Sequence, residues 1–365
     1  MIYDYLIVGA GFAGSVLAER LASQRDKKVL LIDKRGHIGG NAYDFVNEYG
    51  MRVHQYGPHI FHTNDRKIIE YLSQFTEWSK YLHRVMSFVN GIFVPIPINR
   101  TTINMLFHRN YSTDADVQTF FDQQKEYIAE IRNSEDIVVS KVGRELYNLL
   151  YKGYTKKHWG VDPAQLDPSV CSRIPVRTDA NDLYFNDTFQ MMPRNGYSEM
   201  FRKMVAHSNI HISVSTPFLD VPSTTYNKVI YTGPIDEYFG FMFGKLPYRS
   251  LRFEFETIDK EFYQPVGVVN YPNDYDYTRI TEFKQISGQR GQYTTIAKEY
   301  SLESGDPYYP IPNNMNSAKY RLYDKESKKL STVHFVGRLA TYRYYNMDQV
   351  VAQALSIFDK IATIQ

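Results

Sequence analysis

The stretch "YDYLIVGAGFAGSVLAERLA", residues 3–22, decides the fold. It opens with an apolar run, Tyr5 to Val8, that reads as a buried strand, and passes into a helix at its glycines. Gly9, Gly11 and Gly14 match G-x-G-x-x-G. The first glycine permits a tight turn, the second lets backbone approach a pyrophosphate, and the third lets helix and strand pack closely. Amides at the start of such a helix meet negative charge. A second strand, "KVLLID", ends at Asp33, 19 residues after Gly14. That spacing suits a carboxylate on a ribose hydroxyl, expected about 20 residues on. Strand, glycine turn, helix, strand and acid in register predict a dinucleotide-binding unit, whereas the glycines alone would be a weak signal.

Working outward, the composition bounds the rest. A chain of 365 residues, 43% of them hydrophobic, buries a sizeable core in two or three lobes. With 42 basic and 40 acidic side chains and no long run of one sign, no nucleic acid partner is expected. Cys171 is the single cysteine, which permits no internal disulfide and no cysteine-based metal site. No apolar run approaches the ~20 residues of a membrane span, and no basic leader precedes the first strand, so the expected location is cytoplasmic. The unusual feature is 31 tyrosines. Each pairs an apolar ring with a polar tip, which suits the core as well as a site for a large polar ligand.

After the acid, "DKRGHIGGNAYD" (33–44) adds Arg35 and Gly39-Gly40. This resembles the acid–Arg–Gly-Gly run of FAD proteins of the amine-oxidase and glutathione-reductase lineage. At the other end, "VHFVGRLATYRYYNMDQVVAQALSIFDKI" (333–361) reads as strand, Gly337-Arg338, polar-aromatic loop and helix. Val350, Val351, Ala354, Leu355 and Phe358 form its apolar face. Such a helix either simply packs on the first domain or aims its N-terminus at a flavin; the second use needs no additional domain. Between the ends, "HRVMSFVNGIFVPIPIN" (83–99) predicts a hairpin turning at Asn90-Gly91. The pattern from Thr101 to Lys157 is helical, and "HISV" and "KVIYTGP" return to αβ structure. "SLRFEFETI", "VGVVNY", "YTRITEF" and "QYTTIAKEY" then predict antiparallel strands.

The fold expected is α/β: a Rossmann-like FAD-binding domain with an inserted helical lobe and an antiparallel β-sheet substrate domain. The FAD-binding domain is discontinuous, over 1–82, 190–240 and 316–365. The helical lobe covers 100–175, with a mobile substrate loop near 167–177. The sheet domain takes 83–99, 176–189 and 241–315.

Taken together, "GGNAYD", "YGPHIFHT", "YKGYTKKHWG", "RIPVR", "YTGPIDEYF", "YRSLRFE", "YTRITEF", "DPYYP" and "GRLATYRYYNMDQ" resemble the bacterial UDP-galactopyranose mutases over residues 3–358. The resemblance implies a non-redox flavoenzyme that interconverts UDP-galactopyranose and UDP-galactofuranose with reduced FAD, supplying galactofuranose for cell-surface polysaccharide. In that mechanism flavin N5 attacks the anomeric carbon as UDP leaves, the adduct opens to an iminium, and the 4-hydroxyl closes the furanose. A homodimer is also implied.

By match to the motifs, Arg173 and Arg279 face the diphosphate, with Tyr184, Tyr309 and Tyr344 as hydroxyl donors. Tyr154 and Thr155 hold the uridine, Trp159 lies near the sugar, and Phe185 and Asn270 complete the substrate contacts. Cofactor contacts fall on Gly9, Gly11, Phe12, Gly14, Asp33, Lys34, Gly39, Gly40, Asn41, His59, Ile60, Arg338, Tyr344, Met347 and Asp348. His59 and His62 lack a nearby carboxylate or cysteine cluster, so no metal site is expected there. They join the catalytic set as rings packed near flavin and galactose, with a base role open to an imidazole. Taken singly, each tyrosine reads as core or surface, and each arginine as a surface ion pair. Arg173, beside prolines and without a helical pattern, suits a mobile loop. Many family members carry an acid where Asn346 stands, and Asn346 is left out of the catalytic set. The rival enzyme class is a flavin oxidase of the amine-oxidase lineage, which would consume oxygen. A nucleotide-sugar-binding flavoprotein without chemistry would bind UDP yet turn nothing over.

Overall fold

A computed structural model describes residues 2–363. Five parallel strands form the first sheet, in the order Ile210–Ser213, Val29–Ile32, Tyr3–Val8, Tyr226–Tyr231, Val333–Phe335. The helix Phe12–Arg25 follows the first strand directly. A Cβ at Gly14 would lie 1.9 Å from the Gly9 carbonyl oxygen, so the helix meets the strand at a distance only glycine allows. The helix Met347–Thr363 shares the core with it; Val351 and Ala354 are fully buried beside Val16 and Leu17. Val350, Leu355 and Phe358 pack on the edge of that core, so the C-terminal apolar face is used as its spacing predicts.

A seven-stranded sheet runs Tyr309–Pro310, Tyr248–Ile258, Thr294–Leu302, Arg279–Glu282, Val268–Asn270, Val85–Val89, Ile92–Ile96. The last two strands are the hairpin expected around Asn90-Gly91, whose φ values of 52° and 80° are those of a tight two-residue loop. The sheet is not wholly antiparallel: Val268–Asn270 pairs parallel with Val85–Val89. The chain between them passes through the whole helical lobe, and so long a crossover leaves strand direction free where a hairpin would fix it.

The lobe contains Arg100–Phe107, Asp114–Gln124 and Ser134–Leu146, each entered through an Asn or Thr side-chain cap. A π-helical turn, Tyr147–Lys152, then leads into the helix Gly153–Trp159. Such wide turns concentrate at functional sites. Ser169–Ser172 forms one further helical turn with Arg173 as its C-cap, where a loop without helical pattern is expected. A three-stranded sheet, Phe61–Thr63, Phe189–Pro193, Trp78–Lys80, places His62 opposite Gln190. His62 therefore lies on a strand.

Candidate active site

Gly11 caps the helix Phe12–Arg25 without a side-chain partner, which leaves its first amides available. The Gly39 amide bonds the Ala10 carbonyl at 2.8 Å, and a Cβ on Gly40 would stand 2.8 Å from the Gly11 Cα. Two glycine loops thus close on each other and present bare backbone. Asp33 is buried beneath them, one carboxylate oxygen accepting the Ala10 N–H and the other the Arg35 N–H, both at 2.9 Å. Gly9, Gly11, Phe12, Asp33, Lys34, Gly39, Gly40 and Asn41 line a groove of about 260 Å³. Gly337, Arg338 and Met347 close its far end, where the helix Met347–Thr363 begins. Two helix N-termini, bare amides and a buried carboxylate are the donors and acceptors a dinucleotide needs, so these residues fit one. Lys34 reaches over the groove to Asp306, Nζ to Oδ1 2.9 Å. Gly14 and Asp348 do not line it: Gly14 is occupied by packing, and the Asp348 carboxylate accepts the Gln349 amide at 2.8 Å.

A second cavity, of about 540 Å³, shares Asn41, His59, Tyr308, Arg338 and Met347 with the groove. A ligand in one would touch a ligand in the other across that wall. The cavity is cationic. Arg279 and Glu299 stand opposite each other on neighbouring strands and pair at 3.1 Å. Burial alone would depress the Arg279 guanidinium, but Glu299 and the surrounding tyrosines outweigh it and leave its pKa raised. Arg173 and Arg338 make no ion pair with a carboxylate among the described residues. Their guanidinium carbons lie 4.4 and 5.4 Å from the centroid of the same ring, Tyr344. Arg173 donates to the Asn346 Oδ1 at 2.7 Å, and Arg338 donates to backbone carbonyls of Tyr345 and Tyr308. Burial and the nearby Arg173 both lower the Arg338 pKa. Two guanidiniums beside one ring with only neutral partners make a site for a multivalent anion.

Around the arginines stand hydroxyls. Burial pushes the phenols of Tyr154, Tyr184 and Tyr309 up, so they remain protonated donors. The His158 ring lies nearly parallel to both Tyr154 (5.8 Å, 9°) and Tyr309 (5.1 Å, 15°). Trp159 meets Tyr309 and Tyr344 edge-on at 5.2 and 5.4 Å. Asn270 lines the cavity with a buried Oδ1 that has no protein donor, an acceptor waiting for a ligand hydroxyl or N–H. Ile60 and Phe185 complete the wall. Thr155 does not reach it: the residue is buried, with its Oγ1 3.8 Å from the Cys171 Sγ. On the helix Gly153–Trp159, Tyr154 and His158 share a face at i,i+4 spacing, and Thr155 is turned roughly 100° away from it.

His59 borders both spaces. Its Nδ1–H donates to the Gly57 carbonyl at 2.9 Å, and burial pushes its pKa down to about 3. His62 does have a carboxylate: its Nδ1 is 2.9 Å from the Asp187 Oδ2, and its ring stacks on Phe185 at 3.7 Å. No group of three or more His, Cys, Asp or Glu that could hold a metal occurs among the described residues. Among the polar residues of the cavity that sequence reasoning misses are His158, Asp187 and Glu299, and Asn346, set outside the catalytic set, holds Arg173. Only His158 left a signal, its spacing from Tyr154. The others depend on strand register or on partners more than a hundred residues away.

A sequence model of UDP-galactopyranose mutase matches residues 149–344, and one of an NAD(P)-binding Rossmann-like domain matches residues 7–75. The chain is 40% identical to a probable UDP-galactopyranose mutase of Klebsiella pneumoniae over 98% of its own length and 94% of the relative's. It is 33% identical to a dTDP-fucopyranose mutase of Escherichia coli over 96% of each. A crystal structure of reduced UDP-galactopyranose mutase superposes with a TM-score of 0.81, covering 100% of this chain and 95% of that one, at 16% identity. No helix among the described residues is long and apolar enough to cross a membrane.

Proposed function

The chain belongs to the UDP-galactopyranose mutase family, and from that premise we propose that it interconverts UDP-galactopyranose and UDP-galactofuranose on a bound, reduced FAD. The enzyme is an isomerase. The observation that carries the substrate reading is the shared wall: a groove suited to a dinucleotide opens through His59 and Arg338 onto a cavity where two guanidiniums, Arg173 and Arg338, have no carboxylate partner among the described residues.

Asp33 would take the adenosine ribose and the amides at Gly11 and Gly40 the pyrophosphate, which sets the isoalloxazine against His59, Arg338 and the start of the helix Met347–Thr363. When bound and reduced, the flavin supplies the N5 nucleophile that receives the anomeric carbon. Everything else falls to the chain. Arg173, Arg279 and Arg338 hold the diphosphate and oppose the charge that grows on it as the glycosidic bond breaks, so they stabilise the transition state more than the bound substrate. Tyr184, Tyr309 and Tyr344 add neutral donors without adding a competing anion. Tyr154, with the Asn270 acceptor, holds the uridine. The aromatic walls exclude water, which protects a departed UDP until it recaptures the sugar. The product furanose would supply cell-surface polysaccharide, and the enzyme would work as a cytoplasmic homodimer.

Dithionite-reduced protein incubated with UDP-galactofuranose, followed by chromatography of the sugar nucleotide, tests this. Conversion only in the reduced state is expected, and equal conversion by oxidised protein would refute the nucleophilic role. dTDP-fucopyranose is run in parallel, because a relative acting on it is 33% identical over nearly the whole chain.

A further inference from the structure

The isomerisation exchanges the ring oxygen. In the pyranose-to-furanose direction the O5–C1 bond breaks with its electron pair left on O5, which must gain a proton, while an electron pair that the reduced cofactor would supply holds C1. An O4 lone pair then forms the O4–C1 bond, and O4 must lose one. We propose that His62, positioned by Asp187, is the group that carries this proton, an inference that rests on the mutase reading above.

The geometry is that of a supported imidazole. Asp187 Oδ2 lies 2.9 Å from the His62 Nδ1, and a carboxylate only accepts, so Nδ1 carries hydrogen. Nε2 makes no hydrogen bond among the described residues and is not sealed in the interior, and His62 lines the cavity. Phe185 stacks on the ring at 3.7 Å with an interplanar angle of 13°, and His83 continues the pile at 5.5 Å from Phe185. Asp187 is itself fixed: its other oxygen accepts from the Asn64 side chain at 3.1 Å and its carbonyl from Gln190 at 3.0 Å. The strand pair Phe61–Thr63 and Phe189–Pro193 holds the two halves together. A ring clamped on one face and bonded through Nδ1 leaves Nε2 as its one nitrogen free to exchange a proton.

The other groups of the cavity are poorer carriers. Burial pushes His59 and His83 down to about 3 and His158 well below 6.5, so each resists the cationic state a relay must pass through. Tyr154, Tyr184 and Tyr309 are pushed upward by burial and keep their protons. Glu299 is committed to Arg279 and Thr278, each at 3.1 Å. Asp187 supplies what an imidazolium needs, a carboxylate at hydrogen-bond distance. In sequence, the His62 imidazolium gives its Nε2 proton to O5 as O5–C1 breaks. The neutral ring then takes the O4 proton as O4–C1 forms, which returns the imidazolium and balances the step. His62 is thus a catalytic residue and Asp187 a positioning one. The titratable groups facing His62 are Asp187, from the loop before its partner strand, and His83, from the segment before Val85–Val89; Gln190, opposite it, is neutral.

The test uses the reduced holoenzyme with UDP-galactofuranose. His62→Ala and Asp187→Asn are expected to lose about 100-fold or more in kcat while KM stays within about threefold. Added imidazole should restore part of the His62→Ala rate. Asp187→Glu, which keeps a carboxylate at this place, should retain more of the rate than Asp187→Asn. Flavin content and UDP affinity, read by flavin fluorescence, establish that each variant is folded. Should Asp187→Asn not fold, His62→Ala and its rescue decide alone. A folded His62→Ala with near-normal kcat, or one that imidazole does not rescue, overturns the relay and leaves the mutase reading intact. A wild-type enzyme that converts nothing overturns both.

Discussion

Replacing Arg279 and Arg173 by alanine should cost the same activity but very different stability, because only one of them serves the fold. The Arg279 side chain is 22% exposed, and its partner Glu299 is 4% exposed, 3.1 Å away. At an effective dielectric constant of ~20, that separation gives a gross attraction of about 5 kcal/mol, against which both groups are desolvated. Arg279→Ala leaves a buried carboxylate with only the Thr278 hydroxyl among these contacts, which should destabilise the fold by ~3–5 kcal/mol. Arg173 is exposed, rests on the face of Tyr344 and bonds only the neutral Asn346. Its loss should change stability by about 0.5 kcal/mol at most. On the diphosphate role proposed above, each variant would lose one anion partner, worth ~2–5 kcal/mol, or roughly 30-fold to several thousand-fold in turnover.

Urea unfolding beside chromatographic turnover separates the two effects, and a third variant closes the cycle. Arg279→Ala combined with Glu299→Gln removes the stranded charge, so stability should recover most of its loss while turnover stays low. If the double variant regains turnover together with stability, Arg279 is structural and the diphosphate assignment is wrong. Equal stability of Arg279→Ala and Arg173→Ala would refute the role given to the buried pair.

Two glycines of one motif should fail differently. A Cβ at Gly14 would overlap the Gly9 carbonyl at 1.9 Å, whereas one at Gly11 would stand 3.5 Å from Gly40; Gly14→Ala should unfold the first domain, while Gly11→Ala should fold and lose FAD, measured by absorbance after desalting. Acid should destabilise the protein early. Burial lowers His54 from 6.5 to about 4 and His83 to about 3. Both folded values lie below the unfolded one, so the stability these neutral rings contribute is complete above the unfolded pKa of 6.5 and drains away as pH falls toward 3. At pH ~5 the loss should be about 2 kcal/mol for each, seen as a falling urea midpoint between pH 7 and 5, and an unchanged midpoint would contradict it. Asn346→Asp should give Arg173 a carboxylate in place of an amide; the guanidinium is then neutralised before UDP arrives, and calorimetry should find UDP bound about tenfold more weakly.

What was legible in the sequence was local. The dinucleotide unit lies within 31 consecutive residues, Tyr3 to Asp33, and its strand, turn, helix and acid constrain one another by covalent proximity. The Asn90-Gly91 hairpin and the apolar face from Val350 to Phe358 are short-range patterns of the same kind. The substrate cavity is different in kind. Tyr154 and Trp159 were reached because a motif carries them, but Thr155 beside them points to Cys171, since a helix turns roughly 100° per residue and a motif does not record direction. The turn Ser169–Ser172 is too short to show a period, so its residues read as loop. Arg279 meets Glu299 through strand register, and register is set by packing across the whole sheet. His62 shows most clearly why the missing part matters. In the sequence it stands apart from any carboxylate or cysteine cluster, with packing and a base role both open; 125 residues later Asp187 returns on the partner strand's approach and holds its Nδ1. A role that depends on tautomer and charge is decided by that tertiary contact, and so could not be read from the residues around His62 alone.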